Sequence, residues 1–202
     1  MNEAKIHLSP SEMDLMCNAE IILTKNKILK KIKILLEHLQ DKMMQYGKAN
    51  KDDQRLNNLF VVSPKISKGE NYEGLPYLVL DYPRLFDVNH IFTIRSMFWW
   101  GNFFSTTLHM AGHYKEKNLS LIENAYSELA NRNFYIGVNV DQWIHHFEEE
   151  NYLMIKDLSK EEFIHRSREY SHIKLASHFA LQELNSARNN LFENWKLLIG
   201  IF

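Results

Sequence analysis

The chain has 202 residues, of which 45% are hydrophobic and 24% charged, and its formal net charge is −1. These values predict one soluble globular domain and exclude intrinsic disorder and a collagen-like repeat. A disulfide scaffold is excluded because the single cysteine, Cys17, has no intrachain partner. No apolar stretch approaches the roughly 20 residues of a membrane-spanning helix and no signal-peptide pattern is present, so we expect a cytoplasmic protein that does not bind a membrane.

The first predicted element is a long amphipathic helix over residues 10–46. Ser9 suits an N-cap and Pro10 the first helical position, and apolar residues then recur at steps of three and four. We expect the helix to stop at Gly47, with residues 24–26 as its only weak point. Its opposite side carries a basic face of five lysines: Lys25, Lys27, Lys30, Lys31 and Lys33.

The pattern becomes extended over residues 59–112, where β-branched and aromatic side chains are bounded by turn residues. Residues 60–62 and 75–81 are predicted strands, and the second is expected to stop before Pro83. Residues 65–73 are predicted to be a loop or a short edge hairpin.

A β-hairpin is predicted from residues 91–100 and 103–110. Gly101 and Asn102 separate these two runs, and both residue types tolerate the positive φ angles of a two-residue turn. With such a turn, Trp100 would pair with Phe103.

Helices and strands alternate in the second half of the chain. Ser159 and Glu162 form a capping box, which predicts a final helical segment that begins at Lys160. The elements predicted here are a helix over 115–132, a strand over 134–140, a short helix over 141–147, a last strand over 152–158, and the helical segment over 160–198 with breaks at 185–186 or 189–190.

Together these elements predict an α+β fold, in which a mainly antiparallel sheet is built around an aromatic-rich hairpin and packs against long N- and C-terminal helices. We expect one domain over residues 1–202, with an N-terminal helical segment (1–47), a sheet-rich core with an inserted helix (59–158) and a C-terminal helical segment (159–202). Continuous terminal helices would be roughly 55 to 60 Å long, whereas a compact domain of this size is roughly 43 Å across. We therefore expect self-association through the long helices, as in a homodimer.

Aromatic residues are concentrated in the predicted hairpin, since ten of the 25 lie between residues 72 and 104. A two-residue turn would give one hairpin face apolar groups near the turn, with hydroxyl groups and a histidine farther along. Small-molecule sites are mostly apolar with a few convergent polar groups, so this face could bind a ligand; the alternative is a partly solvated sheet face. The candidate pocket residues are Ser96, Phe98, Trp100, Phe103, Ser105, Thr107 and His109.

Histidine is abundant, with ten copies, but no arrangement gives a convincing metal site. Ligands must converge on one ion, and the observed spacings achieve this only in particular local structures. We therefore expect no metal and no cofactor. The arrangements weighed are His109 with His113, His145 and His146 with Glu149 and Glu150, Glu162 with His165, and Glu169 with His172.

No established catalytic motif is present, including the glycine-rich phosphate loops, the nucleophile elbow and paired cysteines. The main hypothesis is therefore a non-enzymatic ligand-binding or accessory module that self-associates and takes a small molecule. One alternative is a metal-dependent or histidine-using enzyme with its site on residues 91–113. A second is nucleic-acid binding through the 25–33 lysine face, although the scarcity of arginine and the usual solvation of such faces argue against it.

Overall fold

The computed structural model describes residues 6–56 and 58–202, and it confirms the α+β class. Within these residues, seven strands form one antiparallel sheet in the order β1-β2-β3-β4-β7-β5-β6. The strands are β1 (Lys65–Tyr72), β2 (Leu75–Phe86), β3 (Ile91–Trp99), β4 (Phe103–Ala111), β5 (Tyr135–Gly137), β6 (Tyr152–Met154) and β7 (His172–Ala180). The α-helices are α1 (Pro10–Cys17), α2 (Ala19–Ala49), α3 (His113–Asn124), α4 (Tyr126–Asn131), α5 (Lys160–Glu169) and α6 (Leu184–Ile199).

The N-terminal helix begins where predicted but is broken near its start. Ser9 caps α1 through a capping box with Glu12. Asn18 then interrupts the helix, and its side chain accepts a hydrogen bond from the Glu20 N–H at 3.1 Å, which caps α2. The prediction of one helix over residues 10–46 with a weak point at 24–26 is therefore wrong. The chain breaks at Asn18, whose side chain caps the first turn of a second helix.

Only the later part of α2 packs on the sheet. It buries Ile32, Leu36, Leu39 and Met43 but leaves the earlier apolar residue Ile21 exposed. Helix α1 has no buried residue. We call residues 10–28, which cover α1 and the first turns of α2, the N-terminal arm; its apolar side chains remain in contact with solvent.

The edge of the sheet differs from the prediction at two points. Residues 60–62 form bends rather than a strand. Strand β1 pairs with β2 as an edge hairpin, and β2 continues past Pro83 to Phe86. The register shifts between Asp81 and Arg84, and this irregularity accommodates a proline that has no N–H to donate to the ladder.

The central hairpin forms, but its register is one residue away from the expected one. Trp99 pairs with Phe103, so the turn holds three residues, and the predicted pairing of Trp100 with Phe103 is wrong. The Asn102 N–H bonds the Trp99 carbonyl at 3.1 Å, and Gly101 has a φ of 74°. In the four-residue β-turn from Trp99 to Asn102, Gly101 is the third residue, and glycine is favoured there because it has no Cβ to clash at positive φ.

The predicted helical segment over residues 160–198 is wrong in its middle. Helix α5 ends at Glu169, and β7 then pairs with β4 along its full length before α6 begins. Both break points proposed for this segment lie inside α6. The final segment is therefore helix, central strand and helix.

The link between β5 and β6 has less regular structure than predicted. The predicted helix over residues 141–147 is absent, because the Asp141 carboxylate accepts the Trp143 N–H at 2.8 Å and forms a local turn. The predicted last strand over 152–158 is reduced to β6 and a short 3-10 turn, Ile155–Asp157.

The sheet is covered on one face by helices and on the other by a loop. On the helix-covered face, α2, α3 and α6 pack against apolar side chains of the sheet such as Phe92 and Leu108. Trp195 is the largest side chain that α6 contributes to this core. The opposite face is covered by residues 138–151, between β5 and β6, which contain no helix or strand and which we call the covering loop. None of the described helices combines the length and apolar character needed to cross a bilayer.

Candidate functional site

The covering loop is closed at its base. The Val138 N–H bonds the Asn151 carbonyl at 2.9 Å, and the Asn139 amide bonds the Asn151 side chain at 2.8 Å. Loops of this length without secondary structure are uncommon in compact domains and usually serve a function, such as closing over a site.

Polar side chains form the sheet surface beneath this loop. The strand register places Asp81 opposite Arg95 and Arg95 opposite Thr107 in one row. The next row places Thr93 opposite His109, and His109 opposite Lys174. Directly opposed residues lie on the same sheet face, so these groups share one floor. The loop-covered residues Asp81, Thr93, Thr107, His109 and Lys174 are all buried.

Arg95 is fixed by a carboxylate and an imidazole. Its Nε and Nη2 atoms donate to the two Asp81 carboxylate oxygens at 2.8 and 2.9 Å, and its Nη1 lies 3.1 Å from His145 Nε2. Because a guanidinium only donates, His145 Nε2 accepts this bond and the neutral ring carries its proton on Nδ1. Burial, followed by the charges of Lys174 and Arg95, holds the pKa of His145 well below its ordinary value.

Lys174 is a buried amine with few partners. Its Nζ donates to the Ile144 carbonyl of the covering loop and lies 5.1 Å from the centre of the Tyr152 ring. Among the described residues, none of the ion pairs involves Lys174. Burial and the nearby charge of Arg95 lower the pKa of Lys174 to about 7. The amine therefore changes charge near neutral pH.

His109 faces Lys174 from the neighbouring strand. Its Nε2 lies 3.0 Å from Gln142 Oε1, so this nitrogen donates and Nδ1 is the ring's acceptor. Burial, followed by the charge of Lys174, lowers the pKa of His109 to about 3. The same two causes lower the pKa of His172, whose ring centre is 6.1 Å away, to about 4. The imidazoles of the site are thus neutral bases at pH 7.

One hydroxyl beside these groups has no partner. Thr93 Oγ1 is buried and forms no hydrogen bond within the described part of the chain. Buried polar atoms are usually satisfied, by protein or by water, so an orphaned hydroxyl needs an explanation. Its position opposite His109 places it at the polar end of the floor.

Tyrosine hydroxyls hold the covering loop at several points. The Tyr72 hydroxyl accepts the His145 backbone N–H at 2.6 Å and lies 3.0 Å from His146 Nδ1. Tyr152 donates to the Ile144 carbonyl at 3.2 Å, and Tyr170 donates to the Val138 carbonyl at 2.9 Å. The ring of Phe147 adds an apolar anchor, since it stacks on Tyr152 and packs against Phe103.

The structure divides the candidate pocket predicted from the sequence. Ser96 and Phe98 lie on the helix-covered face, and Trp100 lies in the turn, where it packs against Phe98. The expected single face therefore does not exist, because the three-residue turn moves β4 by one residue relative to β3. Four members do share the loop-covered face: Phe103, Ser105, Thr107 and His109.

Several groups of the site were not among the sequence candidates for the pocket. Lys174 was assigned to a helix, and Asp81 and Arg95 were not named as site residues. The alternation of polar His172 and Lys174 with apolar Ile173 and Leu175 has the period of a strand and is the local signal that favours β7. His145 and His172 were weighed only as metal ligands.

The histidine arrangements weighed for metal binding are dispersed. His109 is on β4 and His113 on α3, where the His113 ring packs at a tilt against His90, with 4.2 Å between ring centres. His172 belongs to β7, so it does not share a helix with Glu169. Over residues 6–56 and 58–202, no three histidine, cysteine or acidic side chains are grouped so that they could hold a metal ion.

The site combines a buried amine, neutral imidazoles and a fixed arginine beneath a hydrogen-bonded loop. This chemistry can attract an anion and move protons near neutral pH. Comparison of the chain with protein-family models, with curated proteins and with solved structures gives no match. Function must therefore be argued from the chemistry of this site alone.

Proposed function

We propose that the protein is a binding module for a small anionic molecule, which occupies the polar floor beneath the covering loop. The observation that carries the proposal is Lys174, a buried amine that donates, within the described part of the chain, to a loop carbonyl alone. A buried cation without a directly paired counter-charge is costly, and an anion beside it would offset that cost.

The surrounding charges favour an anion over a cation. Asp81 is the acidic residue of the floor, and both of its oxygens are engaged by Arg95. His109 and His145 are neutral and can donate or accept hydrogen bonds. Among the described residues of the floor, a carboxylate or phosphate placed near Lys174 would meet no uncompensated negative charge. The Asp141 carboxylate of the covering loop acts on Lys174 from a longer distance and raises its pKa without forming an ion pair with it.

The covering loop supplies the entrance in this proposal. It contacts the floor and its neighbours through single hydrogen bonds, which Lys174 and Tyr152 donate and Tyr72 accepts, and through the ring of Phe147. Each such bond contributes only about 1 kcal/mol net. Opening in this proposal breaks these few contacts, whereas the helices of the opposite face bury the large apolar core.

Thermal unfolding with acetate, pyruvate or inorganic phosphate tests this proposal. At pH 6.5 at least one of these anions should raise the Tm, and the apparent affinity should fall about tenfold for each pH unit above 7, because the neutral amine does not attract an anion. Lys174→Met should remove the effect. Lys115→Met is the matched control, because Lys115 is also buried and donates to one carbonyl, that of Tyr170.

Equal stabilisation of the wild type and Lys174→Met by the same anion would refute the proposed site. So would the absence of any Tm change with all three anions at pH 6.5, where Lys174 is mostly protonated.

We also propose self-association through the N-terminal arm. The arm exposes apolar side chains, including Met16 at 64% and Ile22 at 56% of their full area. Its two ends differ in charge, since α1 carries Glu12 and Asp14 whereas the other end carries Lys25 and Lys27, the first two lysines of the basic face. A second copy in antiparallel orientation would place acidic α1 against these lysines and cover the apolar residues, as a two-fold interface requires.

Sedimentation velocity tests this arrangement. The wild type should sediment as a dimer, and Ile22→Lys should sediment as a monomer with unchanged helix content, because Ile22 is exposed and contributes nothing to the core. Val88→Lys, at a residue 91% exposed outside the arm, is the control and should remain dimeric. A monomeric wild type would contradict the proposal.

The lysine face supports nucleic-acid binding less than its five lysines suggested, because two of them are paired with glutamates. Lys25 pairs with Glu70 at 3.0 Å, and Lys33 pairs with Glu37.

We also propose a cytoplasmic location. The exposed, unpaired thiol of Cys17 supports it because such thiols suit a reducing compartment.

A further inference from the structure

We infer that Lys174 forms a reversible Schiff base with small 2-oxo acids that enter beneath the covering loop. This inference rests on the proposed anion site, because the carboxylate of such a compound is what would bring its carbonyl carbon to the amine. It adds a covalent step that anion binding does not require.

The first argument is the surroundings of the amine. Lys174 Nζ is buried between the sheet and the covering loop, next to the cationic Arg95 and without a carboxylate partner in the described part of the chain. Amines that form Schiff bases are activated in this way, by loss of water and by a neighbouring cation. About half of the Lys174 amine is neutral at pH 7, compared with roughly one in two thousand for an ordinary lysine.

The second argument is the set of hydrogen-bonding groups beside the amine. His109 faces Lys174 in the strand register and has a free acceptor nitrogen, Nδ1. His145 lies on the covering loop above the same floor. With its pKa lowered to about 3, His109 is too weak a base to take a proton from the ammonium, so it orients the carbinolamine hydroxyl as a hydrogen-bond acceptor and water carries the protons.

The step balances without a further reactant. The Lys174 ammonium gives one proton to water, and the Nζ lone pair attacks the carbonyl carbon while the C=O π electrons move to oxygen. That oxygen takes up a second proton from the attacking nitrogen and becomes the hydroxyl of a carbinolamine. The nitrogen lone pair then expels the hydroxyl, which leaves as water with the proton returned by the solvent. The products are one protonated imine and one water.

The carboxylate of the 2-oxo acid has donors available. Arg95 has five N–H groups, of which three make the bonds to Asp81 and His145. The orphaned Thr93 hydroxyl lies in the row that also holds His109 and Lys174. These groups favour a 2-oxo acid over an aldehyde, which lacks the anionic group.

Reductive trapping tests the inference. The full chain is incubated at pH 7 with pyruvate and sodium cyanoborohydride, which reduces an imine to a stable secondary amine, and the adduct is located by peptide mass mapping. We expect one adduct per chain at Lys174, with labelling there at least a hundredfold above the average surface lysine. Lactate, which has the carboxylate but no carbonyl, should give no adduct.

Variants separate this inference from the binding proposal. Lys174→Arg keeps the cation but has no reactive amine, so it should retain anion stabilisation and lose trapping. Lys115→Met should trap as the wild type does. Pyruvate and lactate that raise the Tm equally, with adducts spread over surface lysines, would overturn the Schiff base and leave anion binding intact. Absence of both stabilisation and specific trapping would overturn both.

Discussion

The two faces of the sheet are both shielded from solvent, but by different means and at different energetic cost. The helix-covered face buries apolar groups such as Leu36, Leu108 and Trp195, and each fully buried aliphatic side chain contributes about 1.5 to 3 kcal/mol. The loop-covered face buries His109 and Lys174 and partly buries Arg95, and the charged forms of such groups lose hydration there.

A face that served only for stability could bury apolar residues, as the helix-covered face does. Polar groups with shifted pKa values, held beneath an irregular loop, reduce stability and are frequent at binding and catalytic sites. This contrast is the reason for placing the proposed anion site on the loop-covered face. Four experiments test whether the two faces differ in this way.

The largest expected effect is the pH dependence caused by Lys174. The pKa of Lys174 is about 7 in the folded protein against an ordinary 10.5, so the unfolded chain binds more protons between these values and stability rises with pH. The rise should approach roughly 5 kcal/mol from well below pH 7 to well above pH 10.5, of which roughly 4 kcal/mol falls between these two values. Urea unfolding at several pH values measures it, and Lys174→Met should flatten the curve and be more stable than the wild type at pH 7.

The second effect belongs to the helix-covered face. Trp195 is fully buried, and its indole N–H donates to the Tyr82 carbonyl. Trp195→Ala should lower the free energy of unfolding by about 4 kcal/mol, through the cavity and the unsatisfied carbonyl. Trp143→Ala, at a residue 47% exposed on the covering loop, should cost no more than about 1 kcal/mol. Equal losses would contradict the assignment of stability to one face.

The third effect is acid sensitivity from His109. Its pKa is about 3 in the folded state against an ordinary 6.5, so the unfolded chain binds the extra proton as pH falls below 6.5 and stability is lost. The loss should be about 2 kcal/mol between pH 6.5 and about 4.5. His109→Leu should remove this part of the acid limb in urea titrations; an unchanged limb would mean that His109 is not buried as a neutral base.

The smallest effect concerns the turn that decides which residues reach which face. Gly101→Ala should cost about 1 kcal/mol, because Gly101 has a φ of 74°. Gly200 has a φ of −69° and is the matched control, where alanine should cost less. Urea unfolding compares the two. Unchanged trapping or anion binding in Gly101→Ala would show that the register survives the strained turn.

Much of the fold followed from local sequence signals. The capping boxes of Ser9 and Ser159 correctly placed two helix starts, because these caps act within one helical turn. The hairpin around Gly101 also formed. The strand β7 was missed because its neighbours in sequence are helices, and its pairing partner β4 lies some 70 residues earlier. Local patterns do not report such distant pairing.

The candidate site was harder to predict than the fold. Its members come from distant parts of the chain, and their faces depend on a register that differs by one residue between a two-residue and a three-residue turn. Thr107 and His109 were named as polar groups on one β4 face, and the register places both on the loop-covered face. Lys174 and His145 could not be added, because nothing local to them indicates that the covering loop lies over β7.

The position of β7 in the sheet also determines the order of assembly. Strand β7 separates β4 from β5, so these two strands cannot be joined until residues 172–180 have been synthesised. Before then, a nascent chain can form the meander from β1 to β4, whose last edge stays open for pairing with other chains. The site floor acquires its amine in the same event that closes this edge. Completion of the sheet and assembly of the site are therefore a single folding step.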